Sequence, residues 1–114
     1  MNQKEKEINV NIALYMDYKL CDNNTNYEIV ISNKLFLESV DDIRFDKDYN
    51  LFMPALIRLG LELNTYHKDD IIQVRTLYNM AKNLIVTGTI EIAAQYLSKA
   101  IILQKNIKIE RNGK

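Results

Sequence analysis

The clearest metal-ligand spacing in the sequence lies in one acidic stretch, Asp46-Lys47-Asp48-Tyr49-Asn50. This stretch carries side-chain oxygens at its first, third and fifth positions, as the first half of a calcium-binding loop does. Such a loop also needs a glycine at position six and a bidentate glutamate at position twelve, because they make the turn and complete the ligand shell. Leu51 and Ile57 stand at those positions. We therefore expect no metal site here, but a solvated loop that caps the next helix.

The residue types that catalysis would need are scarce and scattered. His67 is the only histidine and Cys21 the only cysteine, and neither lies in a recognisable nucleophile motif. The three glycines are not grouped, so the chain has no phosphate-binding glycine loop. The pair Asp41-Asp42 could act as acid and base only in an apolar pocket that separated the two pKa values. We expect no enzymatic activity, no catalytic residues and no cofactor.

Recognition of a partner is the chemistry that the remaining polar residues suit best. The chain has seven tyrosines and no tryptophan, and tyrosine offers a large contact area with few rotatable bonds. Three tyrosines beside the aspartate-rich loop predict an acidic and aromatic surface that could occupy a basic site on a protein partner. The candidate partner-binding residues are Tyr18, Tyr27, Asp41, Asp42, Asp46, Asp48 and Tyr49. Replacing Asp42, Asp46 and Asp48 with serine should then weaken binding with little loss of fold.

Charge and composition limit the other classes of partner. The 15 basic and 15 acidic residues cancel, so no net field draws the chain to nucleic acid or anionic lipid. The basic residues near the C-terminus make at most a weak phosphate-binding arm, and nucleic acid stays an uncertain partner. The apolar runs are too short to span a bilayer, and the polar N-terminus does not resemble a signal peptide. With one cysteine, the default compartment is the cytosol.

The first half of the chain predicts a helix followed by a small sheet. Apolar residues with helical spacing favour a helix over roughly residues 3–16, although Asn9 and Asn11 weaken that pattern. Alternation on both sides of the asparagine-rich run 22–26 indicates a β-hairpin. A further strand through Leu35 and Leu37 and an acidic loop follow.

The second half predicts mostly helices. Pro54 near the start and Gly60 at the end delimit a helix from about residue 50 to 59, and alternation over residues 61–65 then suggests a short strand. Residues 69–86 fit either a helix capped by Asp69 or Asp70 or a hairpin, and helical spacing favours the helix. Gly88 ends that helix and Thr89 caps the last one.

These elements define an α+β fold: an antiparallel hairpin or short sheet packed against three to four helices. A chain of 114 residues is too short for two cores, so we expect one globular domain over residues 1–104. Residues 105–114 are polar and basic, and we expect a disordered tail there.

Three segments resemble the phage ABA sandwich domain, a family of small phage proteins. They are Ile12–Lys19, which runs from a helix into an aromatic residue, Asp48–Ile57, which contains the Met53-Pro54 pair, and Thr89–Leu97, which is similar to the closing helix of the family. They occur in the family's order and cover about a quarter of the chain. The resemblance implies an α+β fold and a phage or prophage origin, and it implies no activity.

The sequence therefore predicts a small non-enzymatic phage accessory protein, cytoplasmic in a bacterial host, that binds a macromolecule. An anti-defence inhibitor is the natural form of that role, because small proteins without catalytic residues act by occlusion. One alternative is a module that binds nucleic acid or a small ligand. Another is a homo-oligomeric structural protein that pairs through an exposed apolar stripe on the helix Ile71–Ile85.

Overall fold

The computed structural model describes residues 1–112 and confirms the α+β class. Four helices accompany one antiparallel sheet in the described residues. The elements in chain order are α1 (Gln3–Tyr15), β1 (Lys19–Cys21), β2 (Asn26–Ile31), β3 (Lys34–Ser39), α2 (Tyr49–Leu63), a 3-10 turn (Lys68–Asp70), α3 (Ile72–Val86) and α4 (Ile90–Asn112).

The predicted hairpin and the additional strand together form a three-stranded sheet in the order β1-β2-β3. β2 and β3 are joined by Ser32 and Asn33, whose φ angles are 52° and 64°. Positive φ at both central residues is what a tight type I′ turn needs, and the twist of that turn matches the twist of paired strands. The register places Val30 opposite Leu35 and Ile29 opposite Phe36.

Helix α1 forms as predicted, and its two asparagines have tertiary roles. Asn9 is buried and accepts a hydrogen bond from the backbone amide of Asp46 (3.2 Å). Asn11 donates to the carbonyl of Ser98 on α4 (3.0 Å) and to its hydroxyl (2.8 Å). Residues that weaken the helical pattern locally therefore fasten α1 to its neighbours.

Helix α2 is longer than predicted, and Gly60 is not its end. The predicted strand over residues 61–65 is wrong because Leu63 is buried one turn after Leu59, so the helical stripe continues past the glycine. Pro54 is the sixth helical residue rather than part of the first turn, and the carbonyl of Asn50 lacks the usual helical donor there. The free energy gained by burying the apolar stripe outweighs the destabilisation of the helix by Pro54 and by Gly60.

Gly60 is explained by packing against α3. A Cβ atom at this position would overlap the Tyr78 hydroxyl and would lie 2.9 Å from Cζ of that ring. The absence of a side chain thus lets the Tyr78 ring lie on the surface of α2. Glycine within a helix destabilises it by about 1 kcal/mol, and the contact with Tyr78 offsets that loss.

The segment 69–86 is helical rather than a hairpin. α3 begins at Ile72 without a side-chain cap, and Asp69 and Asp70 lie in the preceding 3-10 turn instead of capping the helix. Gly88 ends the helical segment with a φ of 83°, and the Thr89 amide donates back to the Leu84 carbonyl (3.0 Å), as in a helix C-terminal motif.

The apolar stripe of α3 packs into the core of the monomer, so it is not the exposed pairing surface that the homo-oligomeric alternative assumed. Ile71, Val74 and Ala81 are fully buried, and α3 packs mainly against α4. α4 in turn buries a row of small and apolar residues along its length. That row is Ala93, Ala94, Leu97, Ala100 and Ile101.

The last helix continues beyond the predicted domain boundary. Residues 105–112 belong to α4, so the expected disordered tail is helical over that range. Lys108 donates to the Glu62 carboxylate at 2.9 Å, which fastens this part of α4 to α2. Residues 113 and 114 lie outside the described residues.

The close approach of α2 and α3 gives a stability prediction for Gly60. In the wild type, Gly60→Ala should lower the free energy of unfolding because the new methyl group displaces the Tyr78 ring. In a Tyr78→Ala background, the same change should raise it by about 0.5–1 kcal/mol, since only the helix propensity remains. Urea denaturation of the wild type, the two single variants and the double variant measures the sign of the change in unfolding free energy in each background. An equal effect of Gly60→Ala in the two backgrounds would contradict the packing.

Candidate interaction surface

The structure buries one of the predicted acidic residues, Asp46, and leaves the other three exposed. Asp46 is only 4% exposed, so it is unavailable to a partner in the folded protein. Its two carboxylate oxygens accept hydrogen bonds from Nε and Nη2 of Arg44, both at 2.9 Å. Arg44 also donates to Glu5 of α1 at 2.7 Å. This ion triad ties the loop after β3 to the first turn of α1.

Burial is the largest single influence on Asp46 and opposes its ionisation, but the hydrogen bonds from Arg44 and Asn9, together with the positive charge of Arg44, outweigh burial and hold the pKa of Asp46 below its usual value. Removing Asp46 would leave the Arg44 guanidinium with one carboxylate instead of two. We therefore expect the replacement of Asp46 by serine to cost stability, unlike the small loss of fold expected from the sequence.

The other acidic candidates have different surroundings. Asp48 is the N-cap of α2, and its carboxylate accepts from the Asn50 amide at 2.9 Å, as the predicted capping loop requires. Asp41 and Asp42 are exposed, and so is Tyr49. With Asp48, which is also exposed, four residues of the predicted patch are accessible to a partner.

The two other tyrosines of the predicted patch pack against each other. Tyr27 is fully buried, which corrects its assignment to a binding surface, and burial raises the pKa of its hydroxyl to about 12. Tyr18 is half-buried and meets Tyr27 edge-on, with ring centroids 5.4 Å apart. Tyr18 also packs edge-on against Phe45 at 5.6 Å. These contacts anchor the base of the sheet on the core.

The two residues with catalytic potential, His67 and Cys21, lie in different elements of the fold. His67 is exposed, and its Nδ1 accepts from the Asp69 amide at 3.4 Å at the start of the 3-10 turn. Cys21 lies in β1, where burial and then the nearby Asp22 carboxylate raise the pKa of its thiol. No hydrogen bond joins the two side chains. Within residues 1–112, no group of three or more metal-ligating side chains is close enough to hold an ion.

A polar network that sequence reasoning missed surrounds Glu62 on α2. Its carboxylate accepts from the Tyr15 hydroxyl on α1, and from Gln104 (3.2 Å) and Lys108 (2.9 Å) on α4. Arg58 lies one turn earlier, 3.4 Å from the same carboxylate. Burial opposes the charge, but these donors hold the pKa of Glu62 below its usual value. A carboxylate with this many donors is a structural anchor between three helices and a poor general base.

Two pockets beside α4 are open to solvent. One of about 540 Å³ lies between the start of α3 and the C-terminal half of α4, and its lining includes Gln73 and Asn106. Another of about 230 Å³ borders the Glu62 network. Neither combines an apolar enclosure with an available acid, base or nucleophile, so neither meets the requirements of a catalytic centre.

The most exposed apolar region is the hairpin of β2 and β3. Side chains alternate between the two faces of a strand, so Val30, Leu35 and Leu37 share the face of the sheet opposite Tyr27. We call these three residues the outer face; they are 69%, 62% and 55% exposed, respectively. On the side of Tyr27, the tip residues Ile31 and Phe36 are also exposed. Apolar side chains gathered on one exposed hairpin are typical of interaction surfaces.

The outer face has a charged border. Lys19 on β1 lies directly opposite Glu28 on β2, and their charged groups are 3.6 Å apart. Glu28 is in turn opposite Leu37, so the ion pair adjoins the apolar residues. An apolar centre with charges at its margin is the usual layout of a protein-binding surface.

Comparison of the chain with protein-family models, curated proteins and solved structures gives no significant match. The resemblance to the phage ABA sandwich domain therefore stays a prediction. Among the described residues, no helix is long and apolar enough to cross a membrane.

The ion triad gives a prediction of pH-dependent stability. Because the folded-state pKa of Asp46 is lowered, its contribution is complete above the unfolded-state pKa of about 3.9 and is lost as the pH falls through the folded value. Asp46→Asn should lower the free energy of unfolding by about 1–3 kcal/mol at pH 7. The difference in this free energy between the variant and the wild type should become smaller below about pH 4. Urea denaturation at both pH values measures this.

The matched control is Asp42→Asn, which changes an exposed aspartate in the same loop and should alter stability by less than about 0.5 kcal/mol. Equal effects of the two substitutions at pH 7 would contradict the structural role of Asp46. A cost at Asp46 that does not change with pH would contradict the proposed cause.

Proposed function

We propose that this protein acts by binding another protein through the outer face of its β2–β3 hairpin. The observation that supports this role is the exposure of Val30, Leu35 and Leu37 side by side on one sheet face. Burying three such side chains against a partner provides a favourable hydrophobic free energy. The same residues contribute nothing to the core of the monomer.

The chemistry of this face favours a protein over nucleic acid. Nucleic-acid binding draws its affinity from lysine and arginine contacts to phosphates. The outer face is apolar, and Lys19 at its margin already lies beside Glu28. An apolar surface of another protein, with polar groups at its margin, is the complementary partner.

The finer role follows the family resemblance. In this proposal the chain is a phage accessory protein in the cytoplasm of a bacterial host, and it inhibits a host defence component by covering part of its surface. Occlusion needs no catalytic group, which is consistent with the scattered positions of His67 and Cys21. The exposed Asp41 and Asp42 lie in the loop after β3 and are available as additional polar contacts.

Capture from a bacterial lysate with the immobilised protein tests the role of the outer face. The variant Val30→Thr/Leu35→Thr/Leu37→Thr keeps residues suited to strands and removes most of the apolar surface. It should capture at least about tenfold less of the specific partner, because a loss of about 1.4 kcal/mol already gives that factor. Quantitative mass spectrometry of the bound fraction provides the measurement.

The control Ile57→Gln/Leu61→Gln removes two exposed apolar side chains from α2, away from the sheet. It should capture as much partner as the wild type, and circular dichroism should show that all variants remain folded. Full capture by the hairpin variant, or loss of capture in the α2 control, would refute the proposal.

A further inference from the structure

The backbone edge of β3 is a second feature of the hairpin, separate from the outer face. β3 is a terminal strand of the sheet and pairs only with β2. The Val40 amide donates to the Thr25 carbonyl at 2.9 Å, which continues the ladder between these two chain segments. Hydrogen-bonded pairs alternate along an antiparallel ladder, so Glu38, Phe36 and Lys34 also bond towards β2. The amides and carbonyls of the odd-numbered residues, Leu35 and Leu37, therefore point to the free edge.

Natural edge strands are kept apart by proline, bulges, charged side chains or a covering element. This edge carries two charged residues, Lys34 and Glu38, but it lacks the other protections in residues 1–112. β3 contains no proline and pairs with β2 in unbroken register over all six of its residues. In the described part of the chain, no other element hydrogen-bonds to the outward groups of Leu35 or Leu37.

The sequence of β3 complements itself when two copies pair antiparallel. Placing Phe36 opposite Phe36 of a second copy puts Lys34 opposite Glu38 and Leu35 opposite Leu37. Leu35 and Leu37 both have outward backbone groups, so these two residues form the hydrogen-bonded pairs across the two-fold axis. Opposite charges and matching apolar side chains at directly opposed positions each stabilise a sheet.

The other two-fold registers that satisfy the backbone hydrogen bonds are less complementary. Centring the pair on Leu37 places Phe36 opposite Glu38, and centring it on Leu35 places Phe36 opposite Lys34. Both leave a charged side chain facing an aromatic ring in place of an ion pair. The backbone and the side chains therefore favour one register, centred on Phe36.

We propose that the partner of this edge is a second copy of the chain, paired β3 to β3 in a two-fold dimer with one continuous six-stranded sheet. The two outer faces then lie on the same side of that sheet and join into one apolar surface. The inference stands on backbone and charge geometry and does not depend on the proposed function. Because two short strands bury little area, the dimer is weak, with dissociation in about the micromolar range.

Charge reversal tests the register without touching the outer face. By the two-fold symmetry, Lys34→Glu places two glutamate pairs across the interface, and Glu38→Lys places two lysine pairs there. Each single variant should raise the dimer dissociation constant at least about tenfold. The double variant Lys34→Glu/Glu38→Lys restores opposite charges and should return to within about threefold of wild type. Sedimentation equilibrium from about 1 µM to 1 mM measures all four proteins.

Hydrogen exchange of single amides provides a second, independent readout. The Leu35 and Leu37 amides should become protected as the protein concentration rises, whereas the Phe36 amide, already bonded within the hairpin, should be protected throughout. A protein that stays monomeric at 1 mM would refute the inference, and so would a dimer that the single charge reversals leave intact. A double variant as weak as the single variants would refute the Phe36-centred register.

Discussion

Burial of Tyr27 at the base of the sheet is the constraint on which the rest of the structure depends. Its ring is fully covered and meets Tyr18 edge-on, so the sheet is held against the helices at this end. Further along the same face of the sheet, Ile29 is half-buried and Ile31 is exposed. The helices thus cover only the first part of the hairpin. The protruding part is what makes both its outer face and its edge available for binding.

Polar contacts hold the remaining elements in place around that base. The ion triad of Arg44, Asp46 and Glu5 fixes the loop that leads from the sheet to α2. The Glu62 carboxylate performs the corresponding task on the other side by accepting donors from α1 and α4. Both clusters include partly buried charges that already have partners. Charged groups that would otherwise suggest a site are engaged in maintaining the fold.

Sequence reasoning was most successful where local chemistry and tertiary packing agree. The asparagine-rich turn between β1 and β2, with positive φ at Asn23 and Asn24, and the helix stop at Gly88 both depend on backbone conformations that those residues favour locally. Reasoning failed at Gly60, because a glycine that ends a helix and one that admits a neighbouring ring look identical in a sequence. It failed at Asp46 for a similar reason. A sequence does not show which aspartate of an acidic run will be buried and paired with a nearby arginine, as Asp46 is with Arg44.

The sequence alone determined the helical stripes, the hairpin, the α+β class and the absence of a recognisable catalytic motif, because periodicity and turn residues act over a few positions. Only the tertiary structure decided which acidic residues are buried and how far α2 and α4 extend. It also decided which apolar side chains of the sheet stay uncovered. Those outcomes depend on contacts between residues distant in the chain, such as Glu5 with Arg44 or Glu62 with Lys108. Whether a residue is buried depends on how the helices and the sheet pack together, so a local sequence pattern cannot determine it.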